Sequence, residues 1–201
     1  EFRTPLTRIK VALEIPGEAA KKSIQRSISE LETMINELLE SARLNDAQGK
    51  LKLEKVNIIE LAEDLITDYV NEKPGIKLIA SQNTIISFID PIRIQSALKN
   101  IIENAIKFSS NQSKPVELAF EISKENNLLI SVRDFGIGIE AAEQPLIFEP
   151  FYRPDRSRIK TTGGYGLGLA LSKKIIDAHF GSLSIDSKPG KETTFRIEMP
   201  L

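Results

Sequence analysis

Between residues 24 and 42 the apolar side chains Ile24, Ile28, Leu31, Ile35, Leu38 and Ala42 recur at alternating steps of four and three. That is the a/d spacing that lays one apolar stripe along a helix and requires a facing partner. The stripe falls within a helix predicted over 19–44, and a shorter helix is predicted over 2–14, ended by Pro16-Gly17. Two helices joined in this way make a hairpin, and a hairpin cannot bury such a seam alone. A second copy of the chain would cover it, giving a four-helix bundle with a shared core. Packing against the rest of the same chain is the alternative.

After a polar linker around 45–55 the pattern changes. Helices are predicted near 58–71, 91–107 and 166–179, with strands near 76–80, 85–89, 115–123, 127–134, 182–187 and 193–199. The strands come in neighbouring pairs and do not alternate strictly with helices. The expected class is therefore α+β: a helical hairpin over 1–48, then a two-layer α/β sandwich over 55–201. Lys plus Arg number 27 against 28 for Asp plus Glu, a net charge of -1, so no nucleic-acid partner is expected. With no cysteine and a single histidine, thiolate chemistry and multi-histidine metal centres are excluded. No apolar run approaches the roughly 20 residues of a membrane span. The abrupt start Glu1-Phe2-Arg3-Thr4-Pro5 suggests a piece of something longer.

Three stretches carry residues suited to chemistry. Asn100, Asn104 and Lys107 stand at i, i+4 and i+7 of one predicted helix, hence on one face, with Ile94, Leu98, Ile101, Ile102 and Ala105 on the other. Two amides and an ammonium suit a hydrated Mg²⁺ and phosphate oxygens, although a solvated amphipathic face accounts for them too. The strand pattern Leu128 to Arg133 runs into Asp134-Phe135-Gly136-Ile137-Gly138. An acidic residue there can accept from an exocyclic amine while the glycines admit a flat ring; a plain turn is the competing reading. Gly163-Gly164-Tyr165-Gly166-Leu167-Gly168 opens directly into a helix, whose N–H groups and positive terminus suit phosphate. A glycine loop of purely structural use is the alternative.

Between the two glycine clusters lie Phe148-Glu149-Pro150-Phe151-Tyr152-Arg153, Arg156, Arg158 and Lys160, a weakly periodic segment whose cations suit a lid over a triphosphate. Asp134-Phe135-Gly136 also occurs in eukaryotic-type protein kinases. There, however, the glycine loop precedes the tripeptide, and the other signature segments of those enzymes are missing from this chain. His179, at a helix end before Gly181, reads as a structural residue.

In order and spacing these stretches resemble the sensor histidine kinases of bacterial two-component systems over essentially the whole chain. Leu98 to Ser109 is similar to the N box, Asp134 to Ile139 to the first glycine box, Phe148 to Arg153 to the F box, and Gly163 to Leu171 to the second glycine box. The resemblance implies the ATP-binding fold shared with gyrase, mismatch-repair ATPases and heat-shock chaperones. It implies that Asp134 holds adenine and that Asn104, aided by Asn100, holds Mg²⁺. It also implies that Lys107, Phe108, Gly136, Gly138, Arg153, Arg158, Gly164, Gly166, Leu167, Gly168 and Thr194 surround the ATP.

Glu1 to Lys10 resembles the H box, in which the phosphoacceptor histidine stands immediately before the Glu. By that resemblance Glu1 takes the proton from the histidine ring, and Thr4 positions water when a phosphorylated response regulator is dephosphorylated. First-turn helix residues without such roles are the plainer reading of both. The implied partners are a second copy of the chain and a response regulator, and the implied parent is membrane-anchored with this portion on the cytoplasmic side. Two readings follow: a histidine kinase, or an ATP-modulated regulator-binding module and phosphatase using Thr4. A hydrolytic ATPase ranks last, because its relatives carry glutamate where this chain has Asn100. Tyr165 and Glu192 depart from the family pattern, where smaller residues are usual.

Overall fold

The structure is a computed structural model that describes residues 2–15, 17–45, 50–153 and 165–201. Helices α1 (Arg3–Leu13) and α2 (Glu18–Asn45) pack against each other, burying Pro5 and Ala12 from one and Ser27 and Met34 from the other. The Arg8 guanidinium reaches across to Glu30, Nη2 to Oε2 3.0 Å. Of the a/d seam, Ile28 and Ile35 remain 45% and 48% exposed, so α1 covers only part of the stripe.

The polar linker hides a strand that the sequence pattern misses. β1 (Glu54–Asn57) is four residues long with an exposed Glu54 and Lys55, and it acquires its conformation by antiparallel pairing with β3 (Ile86–Ile89). Asn57 then starts α3 (Ile58–Thr67): its Oδ1 accepts from the amides of Ile59 at 3.3 Å and Ile85 at 3.1 Å. The helix ends at Thr67, four residues before the predicted end at 71, and turn residues follow.

The remaining elements are β2 (Ile76–Ala80), α4 (Pro91–Phe108), β4 (Val116–Ile122), β5 (Asn127–Asp134), a short 3-10 turn (Leu146–Phe148), α5 (Gly168–Ala178), β6 (Ser182–Lys188) and β7 (Glu192–Pro200). The main sheet has the order β2-β4-β5-β7-β6, with β2 parallel to β4 and every other pairing antiparallel. Helices α3, α4 and α5 supply the second layer, which makes this the α+β two-layer sandwich expected from the sequence.

Alternation along the strands sorts the two faces of the sheet. On β5, Leu128, Ile130, Val132 and Asp134 are buried; opposite them on β7 stand Met199, Ile197, Phe195 and Thr193, also buried. Helix α4 answers with Ile94, Ala97, Leu98, Ile101, Ile102 and Ala105, all essentially inaccessible. Each such fully buried aliphatic or aromatic side chain is worth about 1.5–3 kcal/mol of transfer free energy. The same register places a carboxylate, Asp134, at the end of the apolar row on the helix-facing side.

Helix α2 also touches this C-terminal layer. Arg93 Nε of α4 lies 2.7 Å from Glu40 Oε1, and Lys174 Nζ of α5 donates to Ser41 Oγ at 2.8 Å. The chain thus packs its second helix partly on its own sandwich while leaving Ile28, Ile35 and Leu39 exposed on that helix.

Candidate functional site

A cavity of about 610 Å³ opens between α4, the ends of β5 and β7, the start of α5, and α2. Asn100, Asn104, Lys107 and Phe108 line it from α4, where the i, i+4, i+7 spacing turns them away from the buried face. The helix is held at its start by Asp90, whose Oδ1 accepts from the Arg93 amide at 3.2 Å, and by Pro91 in the first turn. Asn100 is oriented by its own amide group, Nδ2 donating to the Gly168 carbonyl at 3.2 Å. A Cβ at Gly168 would stand 3.2 Å from Asn100 Cγ, tight enough to press that amide aside.

Asp134 sits at the other end of the cavity, 3% exposed. Burial lifts its carboxyl pKa to about 6, against the pull of N–H groups donated by Gly136 and Thr193, and the nearby Glu192 charge adds to the rise. Each carboxylate oxygen can accept more than one hydrogen bond, so this group has capacity for a further donor. Thr193, directly opposite Asp134 in the β5–β7 register, lines the cavity beside it; Thr194 alternates to the other side of β7, so the sequence-based expectation of Thr194 at the site moves by one residue. Leu167 likewise turns into the protein, 5% exposed, rather than lining the cavity.

Two of the glycines make room for the protein's own backbone. A Cβ at Gly136 would come 2.2 Å from the Phe108 carbonyl oxygen, and one at Gly138 2.3 Å from that of Lys188. The close approach they permit is of the protein's own backbone. Gly136 lets the loop close on the end of α4, where the Ile137 amide donates to Phe108 at 3.3 Å. Gly138 lies on the cavity wall with φ +66°, Gly136 behind it. Gly166, at φ +74°, also lines the cavity, and the Phe151 amide donates to its carbonyl at 2.8 Å, which ties the F-box segment to the second glycine loop.

The cavity also carries cations. Lys107 and Arg153 both line the cavity, and burial together with the Arg153 charge pushes the Lys107 pKa below its ordinary value. Arg158, Gly164 and Glu1 lie outside the described residues. Thr4 is exposed on α1, away from this cavity.

Several lining residues had no signal in the sequence. Thr33 and Glu37 come from α2, and Phe195 from β7, where it reads as plain core. Glu103, whose helical position is about 100° from that of Asn104, nonetheless lines the cavity and accepts from the Tyr69 hydroxyl at 3.2 Å. The Glu37 carboxyl is raised above its ordinary pKa by burial and by the Glu103 charge. Tyr165 also lines the cavity and lies close enough to Glu30 to affect its titration. Burial would raise the Glu30 carboxyl's pKa, but hydrogen bonds from Tyr165, Arg8 and Arg26 and the Arg8 charge hold it below the ordinary value. Glu192 pairs with the Arg133 guanidinium, whose Nε lies 3.2 Å from Oε2. His179 has both ring nitrogens engaged away from the cavity, as a structural residue should.

The donor set fits a magnesium nucleotide: two amide side chains and two cations at one end, a buried carboxylate at the other, and glycine loops between. Among the described residues no group of three or more His, Cys, Asp or Glu is placed to hold a metal ion. A cation here would take oxygens from Asn100, Asn104 and the nucleotide itself.

Fold and site together define an ATP-binding module of the two-layer sandwich type. Residues 89–201 match the family described as histidine kinase-, DNA gyrase B- and HSP90-like ATPase, and the chain belongs to that family. Along its whole length it is similar to sensor histidine kinases. It is 32% identical to the sensor histidine kinase MtrB of Mycobacterium leprae, the alignment taking in 100% of this chain and 38% of that protein. It is 31% identical to the sensor histidine kinase WalK of Bacillus subtilis, over 100% and 35%. The chain thus spans somewhat more than a third of the length of these relatives. Among solved structures, the histidine kinase AdeS of Acinetobacter baumannii superposes with a TM-score of 0.79 at 22% identity, over 98% of this chain and 95% of that one. Full-length ShkA, in complex with AMPPNP, gives 0.74 at 24%, over 98% and 42%. These two show the shared fold.

Proposed function

We propose that this chain is the ATP-binding and phosphotransfer portion of a sensor histidine kinase, in which residues 55–201 bind Mg²⁺ and ATP and residues 1–48 form the dimerising helices that present the phosphoacceptor. The observation that carries the reading is the convergence of Asn100, Asn104, Lys107, Asp134 and Gly166 from three separated stretches on one cavity. The relatives named as sensor histidine kinases support the same class, and ShkA was solved with an ATP analogue.

In this reading Asp134 accepts a hydrogen bond from the adenine amine. Asn104 and Asn100 present amide oxygens to the cation. Lys107 and Arg153, with Arg158 of the lid, neutralise phosphate oxygens, and the start of α5 at Gly168 turns its N–H groups toward the same end. Bound Mg²⁺ would draw charge from the transferring γ-phosphoryl group. The protein's contribution is mostly positioning and charge stabilisation. The acceptor is a histidine immediately before Glu1, with Glu1 taking its ring proton. The half-exposed seam of α2 is the surface that a second copy covers, making the four-helix bundle. A response regulator receives the phosphoryl group, and the parent protein is membrane-anchored with this portion cytoplasmic. Among the described residues no helix is long and apolar enough to cross a membrane, so the anchor belongs to other parts of the parent.

The parent protein, incubated with ATP labelled in the γ-phosphate, is expected to acquire acid-labile, alkali-stable phosphate, and to lose it on Asn104→Ala. No labelled protein, with ATP binding intact, would contradict the kinase assignment. The second reading, a phosphatase for the regulator, draws on Thr4, exposed on α1 and open to a docked partner. Thr4→Ala is then expected to abolish regulator dephosphorylation while sparing ATP binding; unchanged dephosphorylation would remove that role.

A further inference from the structure

Two ties hold α2 against the sandwich: Glu40 to Arg93 at 2.7 Å and Ser41 to Lys174 at 2.8 Å. They lie one turn beyond Glu37 on the helix, and Thr33 and Glu37, themselves one turn apart on the same face, both line the nucleotide cavity. The Glu37 carboxylate is therefore held in the cavity that Asn100, Asn104 and Lys107 also line, where the phosphates are placed by the reading above. Glu103 is nearby, but it is engaged by the Tyr69 hydroxyl at 3.2 Å and by Lys99 Nζ at 3.9 Å. Burial and the Glu103 charge make the ionised form of Glu37 costly even before a polyanion arrives.

We infer that Glu37 is a specificity-determining residue that makes the cavity select nucleotide whose phosphates are already neutralised by a divalent cation, and that the two ties on α2 serve to hold it there. A like charge in a half-buried site opposes metal-free di- or triphosphate, whereas a divalent cation that neutralises the phosphates would remove that repulsion. The inference rests on the nucleotide reading and adds to it the form of nucleotide admitted. Nothing in the sequence signals it, because residue 37 lies more than sixty positions from Asn100 and reads as an ordinary polar helix position.

The test is calorimetric titration of this chain with ADP, once with excess Mg²⁺ and once with EDTA, taking the ratio of the two dissociation constants. Glu37→Gln is expected to shrink that ratio about tenfold, chiefly by tightening metal-free binding, while Glu37→Asp keeps it near the wild-type value. An unchanged ratio in Glu37→Gln would overturn the inference while leaving the nucleotide reading intact. Absence of binding by the wild-type chain in both conditions would overturn both. Ser41→Ala cuts one tie without touching the carboxylate, so it is expected to shrink the ratio by a smaller factor, and only where Glu37 is present. A drop of equal size in the Glu37→Gln background would show that the ties do not act through Glu37.

Discussion

The backbone N–H of Asp90 donates to Nε2 of His179 across 3.0 Å, and Nδ1 of the same ring lies 2.7 Å from the Ile175 carbonyl oxygen. This requires a neutral ring with the proton on Nδ1. The contact joins the N-cap of α4 to the C-cap of α5, the two helices that carry Asn100, Asn104 and Gly168.

Protonation of His179 would set a second N–H against the Asp90 amide. Burial accordingly holds its pKa below the ordinary value, the Ile175 bond and the Asp90 charge opposing and Arg93 assisting. With the folded pKa depressed, the stability that the neutral ring contributes is fully present above about pH 6.5 and is lost as pH falls toward the folded value. His179→Gln is expected to cost about 1–3 kcal/mol at neutral pH. Urea midpoints should show the gap between wild type and variant narrowing from pH 7.5 to pH 5.5. A constant gap would contradict the argument.

Asp134 titrates with the opposite sign for folding. Its pKa is raised to about 6, so protonation below that value relieves the cost of burying a charge, yet it removes the anionic acceptor for an adenine amine. ADP affinity is expected to fall below pH 6, by as much as tenfold per unit, relative to an Asp134→Asn variant. The ratio of the two proteins cancels the nucleotide's own protonation. The variant itself is expected to bind at least about tenfold more weakly at pH 7.5. A ratio independent of pH would place the adenine elsewhere.

Gly136→Ala should cost about 1–3 kcal/mol, since its Cβ would fall 2.2 Å from the Phe108 carbonyl oxygen and force the loop off the end of α4. Nucleotide affinity should drop with it. Gly190→Ala is the control: the glycine has φ +72° with open space where a Cβ would go, so only the conformational cost of about 1 kcal/mol applies and binding should persist. Equal losses from both, read by chemical denaturation and ADP titration, would show that the contact with α4 is not what matters.

Asn104→Ala is expected to weaken ADP binding tenfold or more in Mg²⁺ and by much less in EDTA, because its amide oxygen is assigned to the cation rather than to the base. Equal losses in both conditions, measured by calorimetry, would reassign Asn104 to the nucleotide itself.

The layered fold was legible because its core obeys simple periods: Leu128, Ile130 and Val132 alternate on β5, and Ile94, Leu98, Ile101, Ile102 and Ala105 repeat along α4. The same periods placed Asn100, Asn104 and Lys107 on one face, and the glycine loops stood out by composition. Strand β1 was not legible, since Glu54 and Lys55 have no apolar pattern and become a strand only through pairing with β3. Thr193 and Thr194 could be told apart only by knowing which of them shares a face with Phe195 and opposes Asp134. Glu37 and Thr33 reach the site through tertiary packing of α2 on the sandwich, which no local pattern encodes.

The most direct test of the central claim is calorimetric titration of the chain with ADP in the presence of Mg²⁺. Enclosure of one nucleotide by Asn104, Asp134 and Gly166 requires saturable binding at one site per chain, weakened by removal of Mg²⁺ and by Asp134→Asn. Absence of saturable heat at any accessible concentration, from protein shown to be folded, would contradict it.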